Sequence, residues 1–101
     1  MKRTFSFQLS TGSGDDRGTV IALARAALAR GHDVRVFLMD DGVFALREPA
    51  LESLFRAGAE IGVCALSASA RGVARVDWAV WGTQGESAAN VLESDRCLAF
   101  D

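Results

Sequence analysis

Short apolar runs alternate along this chain with polar, glycine-rich breaks, and the spacing of the apolar positions differs from run to run. Residues Arg3 to Leu9, rich in Phe and Thr, read as a first strand. The turn formers Ser10-Thr-Gly-Ser-Gly-Asp-Asp-Arg-Gly18 end it. From Arg17 to Arg30, Val20, Leu23, Ala24, Ala27 and Leu28 recur at helical spacing and form one apolar stripe. Arg25 and Arg30 lie off that stripe or in its last turn. Asp15 or Asp16 is the expected N-cap, and Gly31 stands where a left-handed stop belongs.

Asp33 to Met39 is close to continuously apolar (Val34, Val36, Phe37, Leu38, Met39), the mark of a strand covered on both faces. Asp40-Asp41-Gly42 ends it. A second helix is predicted from Pro49 to Ala57, with Leu51, Leu54 and Phe55 inward and Gly58 as its stop. Glu60 to Ala65 or Leu66 is a third strand, and Ser67 to Val73 a loop with a short helical turn. Val76 to Trp81 reads as a fourth strand, Gly82 to Gly85 as its loop, Ser87 to Ser94 as a last helix and Arg96 to Phe100 as a fifth strand. Strands alternating with helices predict an α/β domain: a three-layer α/β/α sandwich on a five-stranded parallel sheet with right-handed crossovers. Strand order is left open.

Composition narrows the class. With 101 residues there is room for one domain, 1–101, and half of the residues are hydrophobic against 24% charged, which suits a packed core. A domain this small buries a modest share of its surface, so self-association into a homo-oligomer is a natural expectation. The net charge of -2 and the scattered basic residues leave no electrostatic footprint for nucleic acid or for an anionic membrane surface. No apolar window is long enough to span a bilayer, and the stretch after Lys2 and Arg3 is too short and too polar for a signal peptide. Cys64 and Cys97 make neither a disulfide framework nor a zinc spacing, and there is a single histidine, His32. A reducing cytoplasm is the expected location, with no metal and no cofactor.

In a parallel sheet ligands gather outside the carboxyl ends of the strands. Three segments are expected on that rim: the loop Ser10 to Gly14, the turn Asp40-Asp41-Gly42, and the stretch beginning at Cys64. Ser67 and Ser69 are cap candidates for a helical turn after Cys64, whose thiolate the positive end of the dipole would favour; Arg71 adds to this if the turn folds back. Such a thiolate can accept a sulfur atom as a persulfide. The alternative is an inert, buried cysteine. Cys97, among Leu98, Ala99 and Phe100, is expected in the core. Ser10 to Gly18 sits where phosphate-binding loops occur but lacks the P-loop lysine and the Gly-x-Gly-x-x-Gly spacing, and Asp15 and Asp16 would repel an anion. Turn formation and capping explain it better. Asp40 and Asp41 are turn residues or substrate-orienting carboxylates, His32 a turn residue, and Trp78 and Trp81 core residues.

Three segments resemble the DsrE/TusD-like sulfur-relay family, also written DsrE/F-like. They are Gly31-His-Asp-Val-Arg-Val-Phe37 leading into Asp41-Gly42-Val43; Ile61-Gly-Val-Cys-Ala-Leu-Ser-Ala-Ser-Ala-Arg-Gly-Val73, where a strand-end cysteine precedes Arg-Gly-Val; and the closing Ser94-Asp-Arg-Cys-Leu-Ala-Phe100. The resemblance implies a flavodoxin-like fold and assembly into trimers or hexamers. It also implies a sulfur carrier or sulfurtransferase-like role, with Cys64 taking sulfur as a persulfide from a donor protein for an acceptor protein. Asp41, Ser10 and Arg71 are the candidate substrate-binding residues around it. This chain is compact after its second strand and after Arg71-Gly72, and has Ala70 where a second basic residue can precede Arg71. Two further readings stand beside this one: a non-catalytic oligomeric binding or assembly module of the same fold, and a nucleotide-binding domain using the Ser10 to Gly18 loop.

Overall fold

The computed structural model describes residues 2–101. The elements run β1 (Thr4–Leu9), α1 (Gly14–Ala29), β2 (Asp33–Leu38), a 3-10 helix η1 (Asp40–Arg47), α2 (Pro49–Arg56), β3 (Glu60–Cys64), α3 (Ala65–Ala70), β4 (Val80–Gly82), α4 (Gln84–Glu93) and β5 (Arg96–Phe100). All four strand pairs are parallel, in the order β4-β3-β2-β1-β5. The five-stranded parallel α/β architecture is therefore the expected one, and the order adds what the sequence left open: the first strand lies next to the last.

Strand register sorts the sheet into two unlike faces, because successive side chains point to opposite sides. Phe5, Phe7 and Leu9 align with Val34, Val36 and Leu38, and the latter two with Ile61 and Val63. This is the apolar face, and from Phe7 to Val63 its side chains are fully buried against Val20, Ala24 and Ala27 of α1 and Leu51 and Leu54 of α2. Ser6, Gln8, Arg35, Phe37, Gly62 and Cys64 project from the other face. There α4 is tied by polar contacts: Arg35 Nη1 to Glu93 Oε2 at 3.1 Å, and the Ser6 hydroxyl to that of Ser94 just after the helix.

Several boundaries shift from expectation for local reasons. Helix α1 begins at Gly14 because Ser13 is the N-cap, accepting from the Asp16 amide at 3.4 Å; Asp15 and Asp16 fall in the first turn, where carboxylates favour the dipole. Gly31 takes the left-handed stop with φ +83°. Leu23 and Phe55 were expected inward but are each 41% exposed: Leu23 borders the open groove beside β5, and Phe55 stacks beside Trp78 with ring centroids 6.1 Å apart. Asp40 to Arg47 forms η1 instead of a simple turn. Of the predicted fourth strand, Val76 to Trp81, only Val80 and Trp81 pair, and the pairing runs on into Gly82, since the register with β3 begins at Gly62 opposite Val80. Trp78 and Trp81 are half-buried at this edge, Trp81 beneath Arg75. Cys97 is exposed, contrary to the core position expected of it. Its strand closes the sheet, so nothing pairs beyond it, and four of its five residues are exposed.

Candidate functional site

The carboxyl edge is organised by one close approach. Gly42 is buried, and a Cβ at this position would lie 2.0 Å from the Leu9 carbonyl oxygen. The same oxygen accepts from the Met39 amide at 3.0 Å, so the chain leaving β2 is folded tightly over the end of β1. Only glycine fits there, and the reason is space: no positive φ is involved. Asp40, two residues earlier, does turn through the left-handed region with φ +48°, a conformation that Asp tolerates better than most residues. This corner aims the Asp40 amide at Ser67 Oγ, 3.0 Å away on α3.

Cys64 ends β3 and stands at the N-cap position of α3. It faces the polar side of the sheet and is 4% exposed. The rim position expected of it is correct, but the sulfur is roofed over. Its surroundings are polar: the Ser67 hydroxyl, the amides of Ser67 and Leu66, and the Gln84 side chain at the start of α4. Burial pushes the thiol up, and these polar groups together outweigh it, leaving the pKa below the ordinary thiol value. The amides belong to the first turn of α3, whose N–H groups have no intrahelical partners, although the Cys64 side chain makes no capping hydrogen bond to them.

The other sequence candidates divide. Asp41 and Arg71 meet: Arg71 Nε donates to Asp41 Oδ1 at 2.8 Å, and Arg71 Nη1 to the Ser67 carbonyl at 3.3 Å. They thus tie η1 to the end of α3 around Ser67. Gly12 packs beside Asp41, so the loop after β1 does reach the same rim. Ser10, however, is engaged on the far side of β1: its amide donates to the Phe100 carbonyl at 2.9 Å, and its hydroxyl contacts that carbonyl and Asp101 Oδ1 at 3.0 Å. With β2 between β1 and β3, Ser10 belongs to the β5 end of the edge. The Ser13 cap gives the Ser10 to Gly18 loop the turn-and-cap role expected of it. His32 is likewise a turn residue, its Nδ1 accepting from the Arg3 amide at 3.0 Å.

Gln84 was missed. It lies twenty residues beyond Cys64, and only the path of α4 across the polar face brings them together. One signal was available: the rule that collects loops at the carboxyl edge applies to the fourth strand as well, whose loop is Gly82 to Gly85. Gln84 also lines a cleft of about 460 Å³ between α4 and the sheet, with Gln8, Met39, Ala88, Val91 and Leu92. The sequence marks Ser67 only as a cap candidate, whereas its hydroxyl also holds the corner by accepting from the Asp40 amide.

No helix among the described residues is long and apolar enough to cross a membrane. No curated protein matches the chain. The DsrE/DsrF-like family matches residues 3–100, which include all five strands and every residue of the site. That family is generally linked to sulfur relay. A parallel sheet with a cysteine at its carboxyl edge agrees with a match of that extent: the chain belongs to the DsrE/DsrF-like family.

Proposed function

We propose that this protein is a sulfur carrier that accepts sulfur as a persulfide on Cys64. The observation that carries the reading is the place of Cys64 at the carboxyl end of β3 and the N-cap of α3, in a chain that matches the DsrE/DsrF-like family over residues 3–100. The polar groups around the thiol, which lower its pKa, favour the anion needed for attack. In the transfer, the Cys64 thiolate attacks the terminal sulfur of a persulfide on a donor protein. A bond forms from Sγ to that sulfur as the donor's S–S bond breaks, and the electron pair leaves on the donor's thiolate. Sulfur passes between two thiols with no net oxidation, so no cofactor is required. A second transfer of the same kind discharges Cys64 to an acceptor protein.

Because Cys64 is buried, the donor reaches its sulfur on this reading after the Gln84 end of α4 moves aside. A polar contact from Arg35 to Glu93 ties that helix to the sheet, and its Leu92 is 87% exposed, features that suit such a displacement. The cleft lined by Gln84 offers room for the added sulfur. Asp41 and Arg71 act on this reading by holding the corner, because each already satisfies the other.

The test is sulfur loading. The protein is incubated with a cysteine desulfurase and cysteine, and its intact mass is measured before and after reduction. One added sulfur atom, removed by reductant and mapped to Cys64, is the expected result. No adduct under conditions that load a known carrier sinks the proposal.

A further inference from the structure

On the polar face of the sheet, Cys64 has a glycine beside it. The register pairs Cys64 with Gly82 of β4. Paired residues of neighbouring parallel strands lie about 4.8 Å apart and point to the same face, so any side chain at position 82 would stand against that of Cys64. A glycine belongs where φ is positive, where a strand bulges, or where another group comes close. The first two reasons do not apply: φ at Gly82 is not positive, and the register runs without a break from Gly62–Val80 to Cys64–Gly82. Space is the remaining reason. A cavity of about 310 Å³ has Gly82, Gly62 and Val80 in its lining, with Phe37 and Trp78. Gly62 is accounted for by the Phe37 ring, whose Cδ1 would lie 3.0 Å from a Cβ there. Gly82 is half-buried, and Val80 on the same strand is 64% exposed, so this stretch of β4 is open to an incoming group.

We propose that Gly82 sets the width of the group that can be delivered to Cys64: the side chain it lacks is the space in which the donor's persulfide lies when sulfur is handed over. The inference rests on the reading of Cys64 as the sulfur acceptor and deepens it by naming what the site admits. In that exchange the bond from Sγ to the outer sulfur forms as the donor's S–S bond breaks, and the electron pair leaves on the donor's thiolate. Two successive sulfur–sulfur distances need a run of roughly 4 Å beyond Sγ, which a branched side chain at position 82 would obstruct. Movement of the Gln84 end of α4 opens the approach, and Gly82, two residues earlier, decides what fits once it is open. The charged residues in the cavity lining, Arg35 and Glu60, pair with each other. The favoured donor is therefore a cysteine persulfide on a slender, uncharged segment, with small or apolar residues beside the cysteine.

The test uses two uncharged reagents of different width in a Cys97→Ser background, where Cys64 is the remaining thiol. Methyl and benzyl methanethiosulfonate each pass an R–S group to a thiolate and release methanesulfinate, so both place a sulfur on Sγ as a persulfide donor does. Labelling is followed by intact mass. Gly82→Val introduces a residue that strands favour. It is expected to slow the benzyl reagent about tenfold or more relative to the parent and the methyl reagent less than about threefold, the order expected when methyl groups crowd a packed site. Gly82→Ala is expected to fall between. Parent rates for both reagents in Gly82→Val overturn the proposal. Equal slowing of both does so too, because width would then not matter. Faster labelling also overturns it, since a loosened fold exposes a buried thiol, and so does a parent inert to both reagents. A parent that shows the width limit but takes no sulfur from a desulfurase is a different failure: the carrier reading falls, and the limit at the thiol stands.

Discussion

Cys64 and Cys97 project from the same face of the same sheet, yet their environments are opposite. Cys64 ends an interior strand and is buried among polar groups; Cys97 lies near the start of an edge strand and is exposed. Burial alone raises a thiol, and for Cys97 even partial cover of the sulfur does so without any compensating donor. At Cys64 the same penalty is larger than any single opposing contact, and the four contacts together overcome it. The contrast teaches that exposure does not identify the reactive sulfur here. What distinguishes it is the end of a strand, at the N-cap of the next helix, with polar groups around the thiol.

The sharpest way to break this comparison is to exchange the two thiols for serine. Cys64→Ser is expected to abolish desulfurase-dependent sulfur loading, and Cys97→Ser to leave it within about twofold of the parent, an order-of-magnitude expectation for a surface position distant from the site. Loading that survives Cys64→Ser, seen by intact mass, would move the chemistry to the edge strand. Next in size is the corner itself. Gly42→Ala is expected to cost about 2 kcal/mol or more in denaturant unfolding, because the new methyl meets backbone instead of a side chain that can rotate away. A stability equal to the parent would mean that the corner is loosely held and does not restrain the Asp40 amide.

The pH dependence separates the cysteines with opposite signs. The folded pKa of Cys64 is below its unfolded value, so its contribution to stability is present above the unfolded value and is lost as pH falls through the folded one. The folded pKa of Cys97 is above its unfolded value, so its contribution is complete below the unfolded value and is lost as pH rises through the folded one. The slope of unfolding free energy against pH, measured from neutral into the thiol range, should therefore be more negative in Cys64→Ser and more positive in Cys97→Ser than in the parent. Identical slopes in the two variants would erase the distinction. The smallest effect belongs to the rim: Asp41→Asn removes a partly exposed ion pair and is expected to cost less than about 1 kcal/mol, diminishing with added salt.

Much of this site was legible along the chain, and the exceptions share a cause. Cys64 at a strand end, the helical turn behind it and the Asp40-Asp41-Gly42 corner on the same rim all follow from local pattern and from the rule for parallel sheets. The Asp41–Arg71 pair does not, since thirty residues separate its members and only the packing of η1 on α3 joins them. Gln84 was hidden for the same reason. Cys97 misled because Arg-Cys-Leu-Ala-Phe has the composition of a covered strand, and composition does not say whether a strand is central or at an edge. Ser10 misled in the other direction: it stands on the expected edge, but the pairing of β1 with β5 turns it toward Phe100.

The sequence by itself determined the elements, their parallel arrangement and the placement of one thiol at the mouth of the sheet. These depend on hydrophobic period, turn chemistry and the direction of crossovers, all of which act over short stretches of chain. Tertiary structure alone decided which loops touch, which strand is left at the edge, and whether the sulfur meets aliphatic groups or donors. Hydrogen bonds and close contacts act over a few ångströms. Which groups come within that distance is settled by strand order, a property of the whole chain that no local segment contains.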